Sequence, residues 1–263
     1  MSHESIDGFI LRTDDYKDNN RYLSVLTVSG RITLLAKGSK SIKGDQMAIS
    51  QPFVYGNFEY YERGEFNILK SGVCHRNFHA VSEDLQRYYF ACYVCDLIHE
   101  LSDEGEAADE LLRLTLNTMH AVEKKLYPLP LIKGALELRA AALSGYSPDL
   151  FACAECGTRD AESFYLHVMN GYLICGDCLK HSGERQKTHA NEVRAAETIV
   201  MLSPAACAAV RYCLGAPLNR LFSFSLEEKE DLEAFAKLAQ TYILSHLGRS
   251  FQTLELYDAI RGE

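Results

Sequence analysis

Cys153, Cys156, Cys175 and Cys178 form a C-x2-C-x18-C-x2-C array. Each pair brings two sulfurs together across a tight turn. The interval between the pairs leaves room for one short hairpin, so four thiolates can converge on a tetrahedral Zn²⁺. A closed four-sulfur site keeps no open position for substrate or activated water, and the array therefore reads as structural rather than catalytic. It dictates how one stretch of chain folds and leaves open what the protein does.

Iron would use similar ligands, so zinc is inferred here from what such sulfur sets commonly hold. His167 and His181 flank the array and offer alternative donors, although four cysteines leave no need for them. Five further cysteines (Cys74, Cys92, Cys95, Cys207 and Cys213) show no framework-like spacing. The start, MSHESIDGF, has no basic segment followed by an apolar core, and no apolar run approaches bilayer length. The expectation is a reducing, cytoplasmic setting with thiols free or on metal.

The formal net charge of -9 weighs against a nucleic-acid partner only until its distribution is considered. Residues 1–80 hold ten Lys/Arg against nine Asp/Glu, while the remaining 183 hold seventeen against twenty-seven. Between Arg31 and Gly44 lie Arg31, Lys37, Lys40 and Lys43 and no acid. Such short runs are more often solvated surface than a binding site.

The first eighty residues read as strands: Asp7–Thr13, Tyr22–Val28, Arg31–Ala36, Phe53–Tyr61 and Phe66–His75, with a Gly/Ser/Lys loop over Lys37–Lys43. Five short strands without helices suggest a small antiparallel barrel, either an OB-fold or an SH3-like barrel. Phe53, Tyr55, Phe58, Tyr60, Tyr61 and Phe66, with Tyr16 and Tyr22, are aromatic candidates for stacking. Alternation sends about half of those on strands to the core.

After Ser82 the period becomes helical. Leu85, Tyr88, Cys92, Cys95 and His99 recur as one stripe, with Glu83 and Asp84 in the first turn. A second helix is expected from about Glu106 to Leu126 on Leu111, Thr115, Met119, Val122 and Leu126, and a third from Pro130 to about Ser144. Phe164–Leu166 and Tyr172–Ile174 form the hairpin of the cysteine array around Asn170-Gly171. Lys180–Arg194 reads as a polar loop. Ser203-Pro204 opens a short helix, and Ser225 with Glu228 forms a capping box for the next. The fold class is α+β. Its expected parts are a barrel over 1–80, a helical domain over 81–150 and 180–250, and a zinc module over 151–179.

No phosphate loop, dinucleotide fingerprint, nucleophile elbow or zinc-protease helix occurs, so an enzyme reading has nothing to stand on. Cys92 and Cys95 lie mid-helix as small hydrophobes, and Cys74, His75 and His79 lack a fourth ligand at useful spacing.

GFILRTDDY at Gly8–Tyr16, LTVSGRITLLAKGSKSIK at Leu26–Lys43 and QPF at Gln51–Phe53 resemble the opening strands and basic loop of the bacterial RecO family of recombination mediators. ELRAAALSGYSPDLFACAECG at Glu137–Gly157 and GYLICGDC at Gly171–Cys178 resemble its approach to the two cysteine pairs, and the likeness extends to about residue 245. The resemblance implies an N-terminal OB-fold, a helical domain with an inserted zinc module, and no enzymatic turnover. It implies binding of single- and double-stranded DNA and annealing of complementary strands in a bacterial, nucleoid-associated setting. With RecR, it implies loading of RecA onto DNA coated by single-strand-binding protein. On that reading Arg12, Arg31, Lys37, Lys40 and Lys43 supply the DNA surface. Lys124, Lys125, Lys133 and Arg139 rim a groove for the C-terminal tail of single-strand-binding protein. Ser39 stands where the family often has a further basic residue, which lowers the affinity expected of the loop. A non-enzymatic scaffold whose barrel and zinc module bind only proteins is the competing reading.

Overall fold

A computed structural model describes residues 3–17, 19–40, 46–186 (backbone alone over 182–186) and 198–262. These residues form two compact units, one of residues 1–126 with 251–263 and the other of residues 127–250. That division differs from a barrel, a helical domain and a zinc module, because the helices are shared between the two units.

In the first unit β1 (His3–Tyr16), β2 (Asn20–Thr27), β3 (Gly30–Ala36), β4 (Val54–Arg63) and β5 (Phe66–Asn77) close a barrel in the order β1-β2-β3-β5-β4. The closing pair β3–β5 is parallel, with Leu34 opposite Asn67 and Leu35 opposite Ile68, and β4 returns antiparallel to β1. This is the OB-fold arrangement, which removes sheet edges by closure. Ile10, Leu23, Val25, Leu34, Val54, Phe58 and Leu69 fill the interior. Phe9, Leu11 and Leu26 interrupt simple alternation, because their side of the wall is also buried. It is covered by α1 (Leu85–Leu101), which packs on β1, and by α2 (Asp109–Glu123), which packs on β1 and β2.

The side chain of Asp84 caps α1 by accepting from the backbone N–H of Arg87 at 3.0 Å. The expected stripe of α1 needs correction: Leu85 is 59% exposed and Tyr88 is 37% exposed, whereas Phe90, Tyr93, Val94, Leu97 and Ile98 are buried. A helix unforeseen from the sequence, labelled α7 (Gln252–Arg261), accounts for this, since it packs on α1 through Tyr257 against Phe90 and through Phe251 just ahead of it against Tyr93. α2 buries its expected residues except Leu126, which lies beyond its end and is exposed.

The second unit is built on α3 (Leu129–Leu143), α5 (Pro204–Gly215) and α6 (Lys229–Leu247), with α3 packed against both others. Gly134 permits close approach, since a Cβ there would collide with the Phe235 ring. Ser203 caps α5 as expected, accepting from the N–H of Ala206 at 3.1 Å. The capping box does not form: Glu228, not Ser225, precedes α6, and no side chain caps it. A four-stranded sheet, β6 (Asp149–Cys153), β8 (Tyr172–Cys175), β7 (Phe164–His167) and β9 (Ile199–Leu202) in that order, completes the unit. α4 (Gly176–Gln186) replaces the start of the expected Lys180–Arg194 loop, and residues 187–194 of that loop lie outside the described residues. No described helix is long and apolar enough to cross a membrane.

Candidate metal centre and nucleic-acid interface

The cysteine array closes at the ends of two strands. Cys153 ends β6, and the chain turns back at once: the N–H of Gly157 donates to the carbonyl of Cys153 at 2.9 Å. Gly157 adopts φ 74°, a left-handed conformation that glycine reaches without strain. Cys175 ends β8, and Cys178 lies in the first turn of α4. The hairpin β7–β8 spans the interval, with Leu166 opposite Leu173, and Asn170-Gly171 in its turn.

All four Sγ atoms lie within 4.8 Å of one another. Cys156 Sγ is 3.7 Å from Cys175 Sγ, close to the edge of about 3.8 Å set by zinc–sulfur bonds of about 2.3 Å in a tetrahedron. The N–H of Cys175 donates to Cys153 Sγ at 3.3 Å. Burial opposes ionisation of Cys153, but backbone N–H groups of Cys156, Cys175 and Glu155 overcome it and bring the thiol down to about 6. Cys178 is driven the other way by the sulfurs of Cys156 and Cys175. Four sulfurs this close cannot all ionise without a cation among them, so the donor set fits a divalent, thiophilic metal. The site can bind and cross-link; it offers no vacancy for chemistry. Neither histidine is among the clustered ligand atoms: His167 is stacked on Tyr172, and His181 Nδ1 is 2.7 Å from the carbonyl of Asp177.

The other cysteines remain apart from this chemistry. Cys95, Cys207 and Cys213 are buried, and burial pushes the Cys213 thiol up to about 12. Cys92 is half-buried and Cys74 is exposed.

The five expected DNA-contacting residues divide into two groups. Arg12 and Arg31 meet α1. Arg12 donates to Asp96 Oδ1 from Nε at 3.1 Å and from Nη2 at 2.7 Å, and Asp96 Oδ2 accepts from Thr253 Oγ1 at 2.7 Å. The Arg12 charge is therefore largely compensated within the protein. Arg31 Nη1 instead contacts the His99 ring. Burial, then Arg12 and Arg31, bring His99 down to about 4, so His99 is neutral near pH 7 and leaves the Arg31 charge in place. The folded His99 binds its proton more weakly than an unfolded one. Its contribution to stability is present above about pH 6.5 and is lost as pH falls from there toward 4. Titration of the His99 ring by NMR is expected to give a midpoint near 4, and a midpoint near 6.5 would contradict the packing described.

Lys37 and Lys40 follow β3 beside the β1–β2 turn. Lys40 Nζ lies 2.8 Å from Asp15 Oδ2, and this exposed hydrogen-bonded pair lowers the Asp15 carboxyl. Lys37 is exposed and has no side-chain partner among the described residues. Lys43 lies outside the described residues. One cation that sequence reasoning missed is Lys17, whose Nζ lies 5.0 Å from the centre of the Tyr16 ring. Tyr16 in turn meets Tyr22 at 4.6 Å between centroids. The left-handed backbone of Lys17 (φ 53°) leaves no signal in its residue type. Among the aromatic candidates Phe53, Phe58 and Tyr60 are core, Tyr55 and Tyr61 are half-buried, and Phe66 is exposed.

Two of the expected groove cations need correction. Lys133 is 1% exposed and bonds Glu137 and Gln240 inside the second unit. Arg139 donates to the carbonyls of Cys213 and Ala216, closing the C-terminal end of α5. Lysine and arginine are rarely buried unless paired, and the pairing that buries these two is not visible in sequence. Lys124 and Lys125 are exposed at the end of α2 in the first unit.

Comparison with known proteins gives a consistent match. A family model described as Recombination protein O N terminal matches residues 1–78, and one described as Recombination protein O C terminal matches residues 82–255. A protein of Alkaliphilus metalliredigens named DNA repair protein RecO is 27% identical over 259 residues, covering 95% of this chain and 96% of its own. Proteins of the same name from Clostridium acetobutylicum (23% identical, 97% of each chain) and Bacillus subtilis (25% identical, 86% of this chain and 83% of its own) are also similar.

Proposed function

The chain belongs to the recombination protein O family, and from that premise we propose that it is a non-enzymatic DNA-binding mediator of recombinational repair. It holds single strands on the barrel, anneals complementary strands and, with RecR, helps load RecA onto DNA coated by single-strand-binding protein. The observation that carries this reading is local charge: in a chain of net charge -9, the β3 end of a closed OB-type barrel gathers Lys37 and Lys40 beside Lys17 and the Tyr16–Tyr22 pair. Cations beside half-exposed rings suit a flexible polyanion whose bases are free to stack.

Annealing on such a surface needs no fuel. Lysines and arginines neutralise phosphates on two strands, counterions are released, and base pairing supplies the direction. Lys17, Lys37, Lys40 and Lys43 are assigned to the phosphate backbone, and Arg31 to the same DNA-binding surface without a phosphate of its own. Arg12 joins them only where a phosphate displaces Asp96. The Lys40–Asp15 pair is exposed and weak, so phosphate competes for it readily. The structural metal is assigned to Cys153, Cys156, Cys175 and Cys178 as zinc, bracing the second unit. For contact with the acidic tail of single-strand-binding protein, Lys124 and Lys125 remain as candidates; Lys133 and Arg139 are otherwise engaged.

With about four phosphates neutralised on single strands, log affinity is expected to fall against log salt with a slope of about -3. Replacing Lys37 and Lys40 together by Glu should weaken binding and reduce the slope by more than one. An unchanged affinity and slope would remove the loop from the interface. A fluorescence assay of strand annealing tests the whole reading, and a protein scaffold without DNA affinity would neither speed annealing nor shift oligonucleotides at low salt.

A further inference from the structure

Within the first unit a cleft of about 410 Å³ opens between β3, the start of β5 and residues 104–105. Tyr22, Arg31, Thr33, Phe66, Asn67 and Glu104 are among its lining residues, and its size falls in the range of small-molecule pockets. Phe66 is 43% exposed and meets no other aromatic ring among the described residues. A bare phenyl ring there adds nothing to the barrel core. The charge of the lining is informative. Arg31 is the one cation among its lining residues, which include the acids Glu65 and Glu104. Two acids against one guanidinium disfavour a phosphate. They favour a flat, neutral group carrying hydrogen-bond donors.

Arg31 supplies the complement. Its Nη1 is committed to a neutral His99, while its Nε is buried with no hydrogen-bond partner. A buried donor without an acceptor costs free energy that an incoming acceptor recovers. The contact of Thr33 Oγ1 with Glu104 is long, at 3.5 Å, so Glu104 retains accepting capacity. β3 lines the cleft from Arg31 to Leu35, and Lys37 follows two residues further on, so the cations lie at the edge of the cleft.

Resting on the nucleic-acid reading above, we propose that this cleft takes one unstacked nucleobase of a bound single strand. The base lies on Phe66 and Tyr22, donates its exocyclic amino group to Glu104 and accepts from Arg31 Nε. Cytosine and adenine present an amino group next to a ring nitrogen acceptor, which matches this pair. Thymine presents a carbonyl to Glu104 and is disfavoured. The phosphates on either side lie outside the acidic cleft, on the cations at the end of β3.

The test compares fluorescence anisotropy of three single strands of equal length and charge: oligo-dC, oligo-dT and an abasic strand. Stacking of one base predicts that wild-type protein binds oligo-dC about tenfold more tightly than the abasic strand, with oligo-dT between them. Phe66→Ala, on an exposed residue, should bring the dC-to-abasic ratio close to one while leaving the salt slope unchanged. Glu104→Gln should remove the preference for dC over dT and retain preference over the abasic strand. Equal binding of all three strands by wild-type protein, or a ratio retained in Phe66→Ala, would overturn the assignment while leaving backbone binding intact. Failure of wild-type protein to bind any strand at low salt would instead sink the nucleic-acid reading, and this cleft with it.

Discussion

Chelation of the metal, or replacement of Cys175 by Ser, is expected to unfold the sheet of the second unit. Cys153 and Cys175 terminate the two strands β6 and β8, and both are 3% exposed. Leu173 and Leu166 sit buried beside them on paired strands. Metal binding in small thiolate modules contributes about 10–16 kcal/mol of apparent free energy, comparable with the entire net stability of a domain. A sheet with strands of four or five residues has no means of replacing that contribution. Metal analysis should find one zinc per chain. After chelation, amides of β6, β7 and β8 should exchange rapidly while those of the barrel, which has its own core, stay protected. Unchanged protection and melting temperature after verified metal loss would refute a structural role.

Lys133→Met is expected to be the most damaging single substitution in the helical part of the same unit. Lys133 Nζ lies 2.8 Å from Glu137 Oε1 and 2.8 Å from Gln240 Oε1, joining α3 to α6 in a region where Lys133 is 1% and Glu137 0% exposed. Removing the Lys133 ammonium takes a charged partner from a buried carboxylate, at about 3–5 kcal/mol. Pairing the change with Glu137→Leu removes that carboxylate, and the double variant should recover most of the loss. Denaturant unfolding measures both. A single variant within 1 kcal/mol of wild type would mean that Glu137 finds its proton or another partner at little cost. Lys133→Glu, attractive as a probe of partner binding if the lysine were exposed, would instead place two carboxylates together in the interior.

The barrel was legible because each of its strands announces itself locally. β-branched and aromatic runs end at Ser29-Gly30 and Arg63-Gly64, and closure then leaves few ways to connect five of them. The metal ligands were legible because thiolate pairing fixes spacing. β6 and β9 escaped notice, unlike the equally short β7 and β8, because each pairs with a strand distant in sequence and not across a local turn. The face of α1 was misjudged for the same reason. Its solvent-accessible stripe begins with Leu85 and Tyr88, while Phe90 and Tyr93 further along are buried by Tyr257 of α7 and by Phe251 just ahead of it, some 150 positions later. Cationic site residues were the least legible: Arg12 and Arg139 look identical to free surface arginines until Asp96 and the end of α5 are placed beside them. A cleft lined by Tyr22, Phe66 and Glu104 draws on three separated stretches, and no local pattern links them.

The chain leaves the first unit at residue 126 and re-enters it at Phe251. The body that carries the four-cysteine cluster is thus an insertion in the covalent path of the barrel body, not a bead following it. During synthesis the ribosome makes all of the inserted body before it makes the helix that seals Phe90 and Tyr93. Until then those rings stay open to solvent and to chaperones. Stopping translation anywhere between residues 127 and 250 yields a barrel lacking its final helical seal, so nonsense mutations in the cysteine-bearing insertion should harm the barrel unit as well.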